Sequence, residues 1–138
     1  MQYQSNGDKA SKLNQNQLHQ KLAISSQNEG NLNQNIQKLI NIVKQLRDPQ
    51  NGCPWDLEQT HQSLIPYLIE EAHEVTDAIR YGNDNDLQDE LGDLLLQVLL
   101  HAQIANEQNR FNFEDIVLGI QKKLIRRHPH VFKEKAKK

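Results

Sequence analysis

The chain has 138 residues, with 16 lysines and arginines against 18 aspartates and glutamates, and it contains one cysteine. This length suits one domain, the near-zero net charge gives no general indication of nucleic-acid binding, and a single cysteine excludes an internal disulfide and is typical of a reducing compartment. No apolar run reaches membrane-spanning length, so we expect a cytoplasmic protein that binds neither nucleic acid nor membranes.

The two ends of the chain differ in composition from its middle. Residues 1–31 are rich in Gln, Asn, Ser and Lys, and their few apolar residues are sparse. This composition predicts a mostly disordered tail, with transient helix around residues 13–24. We expect the folded domain at residues 32–132 and a short basic tail at residues 133–138.

Apolar residues at helical spacing predict four helices in the middle of the chain. The first should end near Arg47, because Pro49 disfavours helical backbone in the residue before it. The fourth should begin at Asn112, a good N-cap, and stop before Pro129. The four helices are predicted over about 32–47, 65–80, 86–106 and 112–128. No segment has a convincing strand pattern, so the expected fold class is all-α, a small four-helix bundle.

Two acidic motifs flank a tight polar turn between the second and third predicted helices. The motifs are Glu70-Glu71-x-x-Glu74 and Glu90-x-x-Asp93, and the turn occupies residues 81–85. Residues three or four apart share a helix face, so each motif directs at least two carboxylates the same way. If the two helices form an antiparallel hairpin, Glu71 lies level with Asp93, and Glu74 lies level with Glu90.

These four carboxylates would then form one layer, in which they would repel one another unless a cation lay between them. Because all the ligands would be oxygen atoms, the layer favours Mg²⁺ or Mn²⁺ over zinc or copper. The acids border the apolar face of each helix, and none of the four has a lysine or arginine three or four residues away. From spacing alone, the motifs predict either a metal site or an acidic surface.

Four separated blocks of sequence carry a family resemblance. They are residues 46–56 (Leu-Arg-Asp-Pro-Gln-Asn-Gly-Cys-Pro-Trp-Asp), 70–75 (Glu-Glu-Ala-His-Glu-Val), 89–95 (Asp-Glu-Leu-Gly-Asp-Leu-Leu) and 123–132 (Lys-Leu-Ile-Arg-Arg-His-Pro-His-Val-Phe). In this order they resemble the MazG family of nucleoside triphosphate pyrophosphohydrolases. The resemblance implies a MazG-like all-α bundle, completed by helices of a second chain in a homodimer. It also implies Mg²⁺-dependent hydrolysis of nucleoside triphosphates to monophosphate and pyrophosphate, as house-cleaning of the nucleotide pool.

The resemblance also assigns roles to individual residues. Metal ligands of the family match Glu71, Glu74, Glu90 and Asp93, which are the four carboxylates of the predicted layer. Basic phosphate contacts match Lys123 and Arg127, four residues apart on one helical face. From spacing alone, these two would be an ordinary basic helix end that the helix dipole favours.

Two further assignments concern the general base and the nucleotide base. Glu74 or Glu70 is the candidate general base that takes a proton from the attacking water. Trp55 is a candidate contact to the nucleotide base by stacking, but a buried aromatic ring more often anchors a loop, and we favour the anchor.

Two other functions compatible with the sequence remain open. One is a narrower pyrophosphatase of the same superfamily, specific for dUTP or dCTP. The other is a non-catalytic, dimeric helical module that binds nucleotide or a protein partner.

Longer family members carry two copies of this domain, and the present copy resembles the N-terminal one through its Gly-Cys-Pro-Trp-Asp loop.

Overall fold

The computed structural model describes residues 31–136, which form helices and connecting turns without any strand. In chain order the helices are α1 (Leu32–Leu46), α2 (Pro54–Glu58), α3 (Ile65–Tyr81), α4 (Asp84–Glu107), α5 (Phe113–Arg127) and α6 (Pro129–Ala136). The predicted all-α class is therefore confirmed. Apart from Asn31, the predicted tail over residues 1–31 lies outside the described residues, as do residues 137–138. Within the described range, no helix combines the length and apolar character that crossing a membrane requires.

The turn between α3 and α4 is shorter than the sequence suggested, because Asn83 caps α4. The Asn83 side chain accepts a hydrogen bond from the Asp86 N–H at 3.0 Å, and the Asp86 carboxylate accepts one from the Asn83 N–H at 3.1 Å. This reciprocal capping box starts α4 at Asp84, two residues before the predicted start at Asp86. A side chain at Gly82 would place its Cβ 2.9 Å from the Ala78 carbonyl oxygen, so glycine permits the tight reversal.

Two short helices were not predicted, and both begin at a proline. α2 lies inside the segment that we expected to be a loop, with Pro54 in its first turn. α5 ends at Arg127, before Pro129 as predicted, but Pro129 then begins α6. Proline fits a first helical turn because its missing N–H has no intrahelical partner there.

The buried core lies along the C-terminal half of α4. Its members are Val43 of α1, Leu64 just before α3, and Leu99, Leu100 and Ile104 of α4. The N-terminal half of α4 instead packs on α3, and these two form the most extensive helix pair of the described chain. The core therefore fixes one end of α4, and the other end is left to carry polar groups.

Arg47 joins three parts of the fold at the edge of this core. Its guanidinium forms two parallel hydrogen bonds with the Glu107 carboxylate of α4, at 2.9 and 3.0 Å. It also donates to the carbonyl oxygen of Asp56 in α2 and, at 3.1 Å, to that of Gln59. The Arg47 side chain is buried, so these contacts satisfy a charge that has little access to water.

Candidate metal centre

Three carboxylates from two helices converge in the α3–α4 hairpin. Glu71 of α3 and Glu90 and Asp93 of α4 each present an oxygen atom, and these atoms lie within 4.8 Å of one another. Glu71 is only 6% exposed, and Glu90 and Asp93 are half-buried. The structure thus brings together three of the four acids that the hairpin pairing selected.

Glu74, the fourth acid of the predicted layer, lies beside this group and is exposed. Its charge acts on both Glu71 and Glu90, so it belongs to the same electrostatic neighbourhood. With Glu90 it lines a cleft of about 280 Å³ next to the cluster, together with Asp77, Tyr81, Asp86 and Asp89 among others. A step of three residues turns Glu74 about 60° around α3 from Glu71, which accounts for its outer position.

The three clustered carboxyls hold their protons more tightly than ordinary acids do. Burial, followed by the negative charge of Asp93, raises the pKa of Glu71. Burial, then Asp93, Glu74 and Glu71, raises the pKa of Glu90 to about 7. Burial and the nearby Asp89 raise the pKa of Asp93, although a hydrogen bond with Glu90 acts in the opposite direction. Each negative charge therefore makes the next one harder to form.

These residues fit a divalent cation. Their ligand atoms are carboxylate oxygens, which hard cations prefer. A cation among them would also offset the mutual repulsion that displaces their pKa values. Glu71, Glu90 and Asp93 would hold it, and Glu74 lines the cleft beside them and acts electrostatically on Glu71 and Glu90.

Glu70, the other candidate base, is exposed and lies next to Glu71, on whose carboxyl its charge acts. Asp89 was not among the predicted site residues. Its negative charge nevertheless raises the pKa of Asp93, and its side chain lines the cleft. Its position four residues before Asp93 was an available signal, because that spacing places two helical residues on one face.

The proposed phosphate contacts lie on a different helix from the acids. Lys123 and Arg127 are exposed on α5, and neither forms an ion pair with another described residue. The structure does not bring them into the carboxylate cluster. Their side chains are accessible to an anion. This exposure is compatible both with a phosphate contact and with an ordinary basic helix end.

Trp55 packs into the fold from the first turn of α2. Its ring meets the Tyr67 ring edge-on, with centroids 5.4 Å apart and planes at 83°, and it packs against the buried core. These are the contacts that a loop anchor makes. The ring is half-buried, and its contact to a nucleotide base stays a prediction.

Comparison with known proteins agrees with the arrangement of these motifs. Residues 59–132 match the family model of the MazG nucleotide pyrophosphohydrolase domain. The chain is 56% identical over 97 residues to the nucleoside triphosphate pyrophosphohydrolase of Escherichia coli, a match that spans 70% of this chain and 37% of that protein. It is 54% identical over 97 residues to the nucleoside triphosphate pyrophosphohydrolase/pyrophosphatase MazG of Thermotoga maritima, with 70% of this chain and 38% of that one covered.

A mycobacterial relative extends the comparison to lower identity. The nucleoside triphosphate pyrophosphohydrolase of Mycobacterium tuberculosis is 43% identical over 97 residues, which cover 69% of this chain and 30% of that protein. The matched segment thus spans well under half the length of each of these relatives. The family model alone covers more than half of the present chain. The predicted family resemblance is confirmed, and the chain belongs to the MazG nucleotide pyrophosphohydrolase family.

Proposed function

We propose that this chain hydrolyses nucleoside triphosphates to nucleoside monophosphate and pyrophosphate, with Mg²⁺ as the metal and Mn²⁺ as its substitute. The observation that carries this proposal is the group of three carboxylates within 4.8 Å on facing helices, in a chain of this family. The relatives named for this reaction support the activity, although the present chain matches only part of their length.

In this scheme Glu71, Glu90 and Asp93 hold the cation, and Glu74 completes the ligand set from its exposed position. When bound, the cation supplies positive charge that offsets the charge of the phosphates and polarises the bond to be broken. The substrate brings about four negative charges to an acidic surface, and without such compensation the carboxylates would repel it.

The reaction replaces one phosphorus–oxygen bond by another. A water oxygen bonds to phosphorus while the bridging oxygen between the α- and β-phosphates leaves, so the products are the monophosphate and pyrophosphate. Glu74 or Glu70 accepts the proton that the water loses, because both are exposed carboxylates beside Glu71.

The rest of the substrate is held by groups outside the carboxylate cluster. Lys123 and Arg127 donate hydrogen bonds to the phosphate tail from one face of α5, since residues four apart lie above one another on a helix. Trp55 contributes to the base site to the extent that its ring is not occupied by Tyr67 and the core.

A homodimer is part of the proposal, because α5 has no buried residue of its own. Its exposed large apolar residues are Leu118, Ile120, Leu124 and Ile125. Further apolar side chains are exposed on the α3–α4 hairpin, among them Leu68, Ile69, Leu91 and Leu95. A second copy of the chain would remove these surfaces from water and complete the bundle.

The activity is tested by incubating the purified chain with a panel of ribo- and deoxyribonucleoside triphosphates, with and without Mg²⁺. Ion-exchange chromatography then resolves the products, and we expect monophosphate and pyrophosphate only when metal is present. The Glu71→Gln variant should lose turnover by about a thousandfold or more, since removing one charged ligand removes metal affinity as well as charge. Its circular dichroism spectrum should remain that of the original chain.

Glu58→Gln is the matched control, because Glu58 is an exposed carboxylate on α2 and should retain full activity when neutralised. Full activity of Glu71→Gln, or the release of diphosphate and inorganic phosphate, would contradict the scheme. Turnover limited to dUTP or dCTP would identify the narrower enzyme. No turnover by a folded, metal-loaded chain would identify a binding module.

A further inference from the structure

An imidazole pair joins the segment before α3 to the middle of the fold. His61 lies in the turn that precedes α3, and His101 lies on α4. Their Nδ1 atoms are 2.7 Å apart, and their ring planes differ by 5° with centroids 5.0 Å apart. The distance between the ring centroids exceeds the distance between the Nδ1 atoms by about two ring radii. The two rings therefore meet edge to edge, with the line between the nitrogen atoms close to the plane of each ring. This is the geometry of an N–H···N hydrogen bond, and the rings do not overlap face to face.

Arg110 determines where the protons of this pair lie. Its Nη2 atom contacts Nε2 of His61, and a guanidinium group can only donate. Nε2 of His61 is therefore the acceptor, and the single proton of the neutral ring is on Nδ1. Nδ1–H of His61 in turn donates to Nδ1 of His101, whose own proton is then on Nε2. The hydrogen bonds run in one direction, from Arg110 to His61 to His101.

This chain of bonds is consistent with neutral imidazoles alone. A second proton on His61 would occupy Nε2 and face the Arg110 N–H. A second proton on His101 would occupy Nδ1 and face the His61 N–H. Protonation of either ring therefore replaces one hydrogen bond with two opposed donors.

The charges around the pair act in the same direction. Burial, then the cations Arg110 and Arg47, lower the pKa of His61. Burial, then His61, lowers the pKa of His101. The carboxylate of Glu107 on α4 is already paired with Arg47. The folded protein thus disfavours an imidazolium at both positions.

The imidazole pair is one of the contacts that hold residues 60–64 against α4. Within this segment Ser63 and Thr60 bond to each other, and Leu64 is fully buried. The Nε2 atom of His101 is buried and has no hydrogen-bond partner among the described residues. Opening of the segment would let water reach that N–H, which lowers the cost of separating the two rings.

We propose that the Arg110–His61–His101 chain is a pH-sensitive switch, which holds residues 60–64 against α4 while both imidazoles are neutral and releases them when either ring is protonated. The switch lies away from the carboxylate cluster, since His101 follows Asp93 by about 12 Å along α4. It acts on the segment that leads into α3, the helix that carries Glu71.

The first test is nuclear magnetic resonance of the full chain, with ¹⁵N-labelled histidine. At pH 8, long-range nitrogen–proton correlations should show the Nδ1–H form for His61 and the Nε2–H form for His101. Both rings should titrate below the ordinary histidine value of 6.5. The Nε2–H form at His61, or ordinary titration of both rings, would overturn the proposal without any variant being needed.

The second test measures amide hydrogen exchange of residues 60–64 between pH 8 and pH 5, corrected for the intrinsic pH dependence of exchange. The equilibrium constant for opening should rise on acidification. The rise should be about tenfold for each pKa unit by which the histidines of the closed segment lie below those of the open one. Local exchange is the proper readout, because protonation of the carboxylate cluster changes global stability in the opposite direction. An opening equilibrium that is independent of pH would refute the switch.

Two variants isolate the imidazole pair. The double variant His61→Asn with His101→Gln should open this segment to the same extent at every pH, because neither titrating ring of the pair is left. The control His130→Gln removes an exposed histidine beyond α5 and should keep the pH dependence of the original chain. Loss of that dependence in both variants would assign it to another group and reject the proposal.

Discussion

At the scale of single residues, the raised pKa of Glu90 would govern when the acidic cluster takes up the proposed cation. Its pKa of about 7, raised by burial and by Asp93, Glu74 and Glu71, means that a proton must leave before the metal enters. We therefore expect Mn²⁺ affinity to rise about tenfold per pH unit below pH 7 and to level off above it. Isothermal titration calorimetry between pH 5.5 and 8.5 measures this directly.

The Glu90→Gln variant should bind Mn²⁺ more weakly and without this rise. Unchanged affinity across the pH range in the original chain would show that the site binds metal without losing a proton. The raised pKa of Glu90 also makes the stability of the fold depend on pH. Between the ordinary value of 4.5 and about 7 the folded, metal-free chain holds a proton that the unfolded chain has lost. The free energy of unfolding therefore falls as pH rises through this interval.

At the scale of elements, Arg47 connects α1, α2 and α4. The Arg47→Met variant should lower the free energy of unfolding by about 2–3 kcal/mol, because it leaves the buried carbonyl oxygen of Gln59 without its donor and leaves that of Asp56 with only the 3.3 Å bond from the Gln59 N–H. Glu107 is about a third exposed, so water compensates much of its lost partner. Urea unfolding followed by circular dichroism gives the difference.

Arg80→Met is the matched control, since Arg80 is exposed on α3 and should change stability by less than about 0.5 kcal/mol. Arg47→Lys should recover little, because an ammonium group cannot form the paired bonds to Glu107 and reach two carbonyl oxygens as well. Equal stability of the Arg47→Met and Arg80→Met variants would show that the network contributes nothing.

At the scale of the whole molecule, the proposed homodimer would cover the exposed apolar residues of α5. We expect multi-angle light scattering to give twice the mass of one chain. The double variant Ile120→Glu with Leu124→Glu should weaken the dimer by about a hundredfold or more, because two large apolar contacts are lost and two charges are buried. Arg126→Glu introduces a negative charge at an exposed position on the opposite side of the same helix and should leave the dimer intact. A monomeric original chain would contradict this expectation.

Much of the fold was readable from the sequence because it depends on neighbours along the chain. Prolines mark where α1 and α5 end, Asn112 caps α5 as predicted, and the spacing of Glu71, Glu90 and Asp93 places three acids together. The short helix α2 was missed, because a five-residue segment that begins with a proline looks the same as a loop until its carbonyl groups find partners.

The sequence by itself determined the four longer helices, the family and the acids that can meet across one hairpin, since each depends on local spacing or on matched motifs. Only the tertiary structure decided which of those acids converge and which one, Glu74, stays outside. It alone paired Arg47 with Glu107 and His61 with His101, residues 60 and 40 positions apart. Such contacts follow from how the helices pack around Leu64 and Leu100, and packing leaves no periodic signal in the chain.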